Sequence, residues 1–134
     1  MGLFKNCKRV VVKVGTSTLT HATGQLNLRR IETIVKVLSD LKNGGKEIIL
    51  VSSGAVSAGI AKSGLGHRPI SLEEKQAMAS IGQSELMKIY DRFFSDYGHK
   101  VARSSSRAPS SRSPFARRRQ KTPLTPFFAW DVSR

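Results

Sequence analysis

The chain has one cysteine, Cys7, so no disulfide can form within it, and no second ligand stands near that thiol at metal-binding spacing. Cys7 is therefore expected as a small, half-buried residue. Acidic side chains are scarce, nine against 23 lysines and arginines, for a formal net charge of +14. No apolar run approaches the roughly 20 residues that a membrane-crossing helix needs. The opening Met1-Gly2-Leu3-Phe4-Lys5 has neither the apolar stretch nor the cleavage site of a secretory signal. Asn6 stands where a myristoylation signal calls for serine or threonine. A reduced, cytoplasmic setting away from membranes is the expectation.

The charge excess is unevenly spread. Residues 1–100 carry 15 basic and 8 acidic side chains, a net of +7. Residues 101–134 reach the same +7 with 8 basic residues and one aspartate. A basic total commonly signals nucleic acid or an acidic membrane. Here the excess is densest where periodic structure is missing, so it says little about the folded part, and nucleic acid is not the expected partner.

Up to about residue 100 the pattern alternates strand and helix. Arg9 to Val14 reads as a buried strand, and Thr16 to Asn27 as a polar loop. Ile31, Ile34, Val35, Leu38 and Leu41 recur at helical spacing, and Gly44-Gly45 ends that helix. Glu47 to Val51 is a second strand, at a distance that suits a βαβ crossover and hence parallel pairing. Ala55 to Ser63 reads as a short helix of small residues. Ser71-Leu72-Glu73-Glu74 fits a capping box that opens a longer helix. Its apolar residues run from Ala77 to Phe94, Gly82 marks a kink or a close contact, and Gly98 a stop. Phe93, Phe94 and Tyr97 read as core rather than as a stacking platform. Lys100-Val101-Ala102 begins a third strand.

Two turns carry the chemistry. Lys13 lies near the end of the β-branched run Val10-Val11-Val12-Lys13-Val14, where a charged residue is costly to bury. Gly15-Thr16-Ser17 follows, offering close backbone approach and two hydroxyl donors. A lysine there bridges phosphates and offsets charge developing during transfer, or it snorkels from a strand end to water. No Walker A pattern occurs. Downstream, Ile48-Ile49-Leu50-Val51 leads into Ser52-Ser53-Gly54-Ala55, a strand opening a helix. That is either an anion site or an ordinary serine cap. A serine nucleophile would need a histidine base, and neither His21 nor His67 has the context for it. Glu73-Glu74 is explained by the helix cap and dipole. Two such turns on one parallel sheet suggest a phosphate and substrate cleft.

At these residues the chain resembles a known family. Val11-Val12-Lys13-Val14-Gly15-Thr16-Ser17, Val51-Ser52-Ser53-Gly54-Ala55-Val56, Glu74-Lys75-Gln76-Ala77, Ile81-Gly82-Gln83-Ser84 and Tyr97-Gly98 look like the glutamate 5-kinases of the amino acid kinase superfamily. The resemblance covers about residues 8–102. It implies an α/β fold, the N-terminal part of a three-layer αβα domain with a mostly parallel sheet. It implies transfer of the γ-phosphoryl of ATP, with Mg²⁺, to the side-chain carboxylate of L-glutamate, the first step of proline synthesis. Lys13 matches the family's ATP-phosphate lysine, and Gly15, Thr16 and Ser17 the rest of the ATP side. Ser53, with Gly54 and Ala55, matches the glutamate side. No residue of this chain is assigned to metal. The resemblance further implies a homo-oligomer at full length and a functional link to glutamate-5-phosphate reductase.

The departure from the family is large. A full kinase domain is about twice this length, and its later part supplies further glutamate ligands and the nucleotide-binding strands. Residues 1–102 read as a truncated kinase domain, and 103–134 as a basic, low-complexity, disordered tail. Codons for Gln120 to Arg134 can be chosen so that the register one base earlier reads Lys-Asp-Thr-Leu-Asp-Ala-Leu-Leu-Arg-Met-Gly-Cys-Val-Pro. That resembles the family's next helix and strand, and suggests a frameshift near Ala102–Arg103. A genuine basic extension is the alternative. The whole chain is expected to have little kinase activity and to carry an unpaired sheet edge. Other readings are a basic nucleic-acid-binding or scaffolding module built on Arg117-Arg118-Arg119, or another kinase of the same superfamily.

Overall fold

Six residues of alternating burial open the fold. Strand β1 (Arg9–Val14) turns Val10, Val12 and Val14 inward and leaves Arg9, Val11 and Lys13 exposed, the period of two that a half-covered strand requires. A computed structural model describes residues 5–104 and 128–133 of the chain. After β1 come helices α1 (Thr16–Leu19) and α2 (Leu28–Asn43), strand β2 (Glu47–Ser52), helices α3 (Ala55–Ser63) and α4 (Leu72–Asp96), and strands β3 (Lys100–Ser104) and β4 (Phe128–Ser133).

β1 and β2 pair in parallel from Arg9 opposite Glu47 to Val14 opposite Ser52, as their spacing predicts. Arg9 and Glu47 also form an ion pair at 2.7 Å. The core is one cluster on one face of this pair. It joins Val14, Ile48 and Leu50 of the strands, Ile31, Val35 and Leu38 of α2, and Leu86, Tyr90 and Phe94 of α4. The other face is open among the described residues: Val11 keeps half of its surface in water. The α/β class and the parallel pair are as the resemblance implies, and the described residues make up two of its three layers.

The region read as a polar loop contains a short helix. In α1, Leu19 is fully buried and the Thr20 amide closes on the Thr16 carbonyl at 3.1 Å. Four residues are too few for a period to show. The expected start of α4 is present with one change. Ser71 Oγ accepts from the Glu74 amide at 3.1 Å, while the Glu74 carboxylate accepts from the amide of Ile70, not of Ser71. Of the aromatic trio assigned to the core, Phe94 is fully buried and Phe93, partly buried, packs against the core cluster, whereas Tyr97 is exposed. Cys7 is half-buried, its thiol donating to the Arg9 carbonyl at 2.8 Å.

The tail needs a correction. Residues 105–127, including Arg117-Arg118-Arg119, lie outside the described residues. Residues 128–133, read from sequence as part of a disordered segment, form β4, antiparallel to both β2 and β3. The sheet order is therefore β1-β2-β4-β3. Without β4, the amides and carbonyls of β2 on that side would be unpaired, and buried backbone groups need partners. Among the described residues, the edge strands of this sheet are β1 and β3.

Gly59 and Gly82 set how α3 and α4 meet. A Cβ on Gly82 would stand 1.6 Å from the Ala55 carbonyl oxygen and 2.5 Å from the Gly59 amide nitrogen. One on Gly59 would stand 1.9 Å from the Met78 carbonyl oxygen. The close contact read at Gly82 is thus backbone against backbone, and it holds the first turn of α3 in place.

Candidate active site

The carboxyl ends of β1 and β2 lie side by side, and their two turns are tied together. The Val14 carbonyl accepts from both the amide of Ser53, at 3.0 Å, and its hydroxyl, at 3.1 Å. Thr16 Oγ1 donates to Ser53 Oγ at 3.3 Å. Gly54 follows at φ +94°, a left-handed conformation costly for any residue with a Cβ, and opens α3 with no side-chain cap. The open C-terminal edge of a parallel pair is where α/β folds hold ligands.

A cleft of about 780 Å³ lies beside this junction, within the range of roughly 300–1,000 Å³ typical of small-molecule sites. Its floor includes Thr16 and, from α3, Val56 and Ser57. Its exposed rim carries Arg68 and Lys75, and among the described residues no acidic side chain lines it. Among the described residues, no group of three histidine, cysteine, aspartate or glutamate side chains is placed to hold a metal ion. No described helix is long and apolar enough to cross a membrane.

The residues singled out from sequence fall in three places. Thr16 lines the cleft. Ser53, Gly54 and Ala55 are buried behind it, at the junction. Lys13 and Ser17 are exposed, and Gly15 half-buried, outside the cleft lining. Lys13 stands opposite Val51 in the ladder, on the uncovered face of the sheet. Arg68 escaped the sequence reading, and Lys75 entered it only within the Glu74-Lys75-Gln76-Ala77 motif, with no role given to it. Nothing local links either of them to Thr16, more than 50 residues earlier.

Tyr90 braces the junction from below. Its hydroxyl shares a 3.1 Å hydrogen bond with Ser52 Oγ. Burial pushes that phenol up to about 12 from the usual 10, with the Ser52 bond pulling the other way. A raised phenol stabilises the fold below pH 10 and loses that contribution as pH climbs from 10 to 12. Two units correspond to about 2.7 kcal/mol. In urea titrations at pH 9, 10.5 and 12, the native chain should lose stability more steeply than Tyr90→Phe. Parallel curves for the two would show that the phenol ionises freely.

The sequence profile of the amino acid kinase family matches residues 8–129. The glutamate 5-kinase of Listeria innocua is 60% identical over 97 residues, which are 72% of this chain and 35% of that protein. That of Clostridium perfringens is 54% identical over 98 residues, 73% of this chain and 36% of its own length. That of Moorella thermoacetica is 56% identical over 95 residues, 71% and 25%. The chain thus spans about a third or less of the curated relatives it matches. The interlocked turns and buried junction belong to a match that takes in nearly all of the chain, and the protein is a member of the amino acid kinase family.

Proposed function

We propose that this chain carries the first part of a glutamate 5-kinase site. The reaction is attack of the side-chain carboxylate of L-glutamate on the γ-phosphorus of ATP, giving L-glutamate 5-phosphate and ADP for proline synthesis. The observation that supports this most directly is the Thr16–Ser53 junction, which sets the two strand-end turns side by side. Lys13, Gly15, Thr16 and Ser17 are read as the phosphate side, and Ser53, Gly54 and Ala55 as the acceptor side. The Ser53 hydroxyl is engaged with Val14 and Thr16, so it holds the bend, and the uncapped first turn of α3 presents its amides to the acceptor. Catalysis of this kind is positioning and charge stabilisation, with no covalent intermediate on the protein. Mg²⁺ fits this scheme as a passenger on the ATP phosphates, its usual mode.

Residues 1–102 are read as the kinase part and 103–134 as an out-of-frame continuation, which the nucleotide sequence across codons 100–106 decides. The setting is read as cytoplasmic, with a homo-oligomer at full length and glutamate-5-phosphate reductase as functional partner. An amide-resolved NMR titration of the chain with L-glutamate tests the site. Shifts centred on Thr16 and on residues 53–57 are expected, and their absence there defeats the reading. Glutamate-dependent ATP hydrolysis by the chain alone is expected to stay at background in a coupled ADP assay. Turnover above background would show that the later part of the domain is dispensable.

A further inference from the structure

Among the described residues, the two cations on the rim of the cleft have no acidic partner. Arg68 belongs to the loop between α3 and α4, and Lys75 to the first turns of α4. The ion pairs among the described residues are Arg9–Glu47 and Lys62–Glu85, and neither involves the rim. The nearest acidic residues in sequence are Glu73 and Glu74. Neither lines the cleft, and the Glu74 carboxylate is taken by the Ile70 amide at 2.9 Å. That bond ties the loop to α4 just beyond Arg68 and Pro69, which fixes the rim. The floor residues Thr16, Val56 and Ser57 line the same cleft, and Thr16 belongs to the strand-end junction through its bond to Ser53. One cleft therefore takes in the hydroxyls of Thr16 and Ser57 beside the proposed site of phosphoryl transfer and two exposed cations on its rim.

We propose that Arg68 and Lys75 form a carboxylate clamp for the end of the acceptor that does not react, and so select a dicarboxylic amino acid over a monocarboxylic one. The inference rests on the glutamate-kinase reading of the site and adds a specificity element to it. One carboxylate of the acceptor lies at the floor, where it meets the phosphoryl group. The α-carboxylate lies between the guanidinium and the ammonium. Arginine and lysine complement each other here. The planar fork of arginine fixes the orientation of a carboxylate, and the lysine adds a mobile point charge. Because both are exposed, they cost the fold little when the cleft is empty.

The test compares L-glutamate with 4-aminobutyrate, which keeps the reacting carboxylate and the amine and lacks only the α-carboxylate. Both are titrated into the full chain by amide-resolved NMR, following Thr16, Val56 and Ser57. The native chain should bind L-glutamate about tenfold or more tightly than 4-aminobutyrate, as the loss of charge-assisted bonds predicts. The double variant Arg68→Met/Lys75→Met should bind the two alike, with 4-aminobutyrate unchanged. A control of equal charge, Lys36→Met/Lys88→Met, alters exposed residues outside the cleft and should keep the preference. If the rim variant retains the native preference, the clamp is wrong and the acceptor reading stands. If the control loses the preference as well, the effect is one of net charge and the clamp is wrong. If L-glutamate moves none of the cleft amides in the native chain, the acceptor reading falls and the clamp with it.

Discussion

Gly82→Ala is expected to remove about 3 kcal/mol or more of stability, the upper end of what overpacking costs. Alanine favours a helix over glycine by about 1 kcal/mol, so local propensity predicts a gain. The contact decides against it. The new methyl would fall 1.6 Å from the Ala55 carbonyl oxygen and 2.5 Å from the Gly59 amide nitrogen. Both are main-chain atoms, so no side chain can swing aside, and α3 must lift off α4. Ser80→Ala, an exposed neighbour on the same helix, gains propensity without the clash and should leave stability unchanged or slightly raised. Urea unfolding followed by circular dichroism measures both. A Gly82→Ala midpoint at or above the native one would mean that the helices do not touch as described.

Phe94→Ala should cost about 3–5 kcal/mol, the usual range for a buried phenylalanine. Its side chain is fully buried in the cluster that joins α4 to the sheet. The carbonyl of the same residue accepts from the amides of Tyr97 at 3.1 Å and His99 at 3.0 Å, so the turn into β3 hangs from this point. The loss is a large part of the 5–15 kcal/mol that a domain has in total. Hydrogen exchange gives the sharper reading. Protection in β3 should fall before protection in β1 and β2, whose parallel ladder is seated by Ile31, Val35 and Leu38 of α2. A change below about 1 kcal/mol, outside the range for such a truncation, would place Phe94 on the surface.

How much of this was readable beforehand depended on range. β1 and α2 announce themselves because a β-branched run and a helical period are local signals. The tie between the two turns could be inferred, since a parallel pair must bring its strand ends together. Leu19 was missed because one helical turn carries no period. β4 was missed because its partner strands are distant and its own composition is surrounded by Ser, Arg and Pro. Gly82 was flagged, but not Gly59 as its counterpart, since a helix crossing depends on packing that no window shows. The grouping of Arg68 with Lys75 was missed for a related reason. Arg68 looked like an ordinary surface cation and Lys75 was only part of a motif, until the cleft was seen to join them to Thr16.

The meeting of α3 and α4 through bare peptide groups has an evolutionary corollary. Peptide atoms are common to all twenty amino acids, so the depth of the cavity floor is insulated from drift elsewhere in the two helices. The rim has no such protection, because its character resides in two replaceable side chains. On the clamp proposed above, a new acceptor would call for changes in the loop before α4 and in its first turns, while the architecture beneath stays as it was.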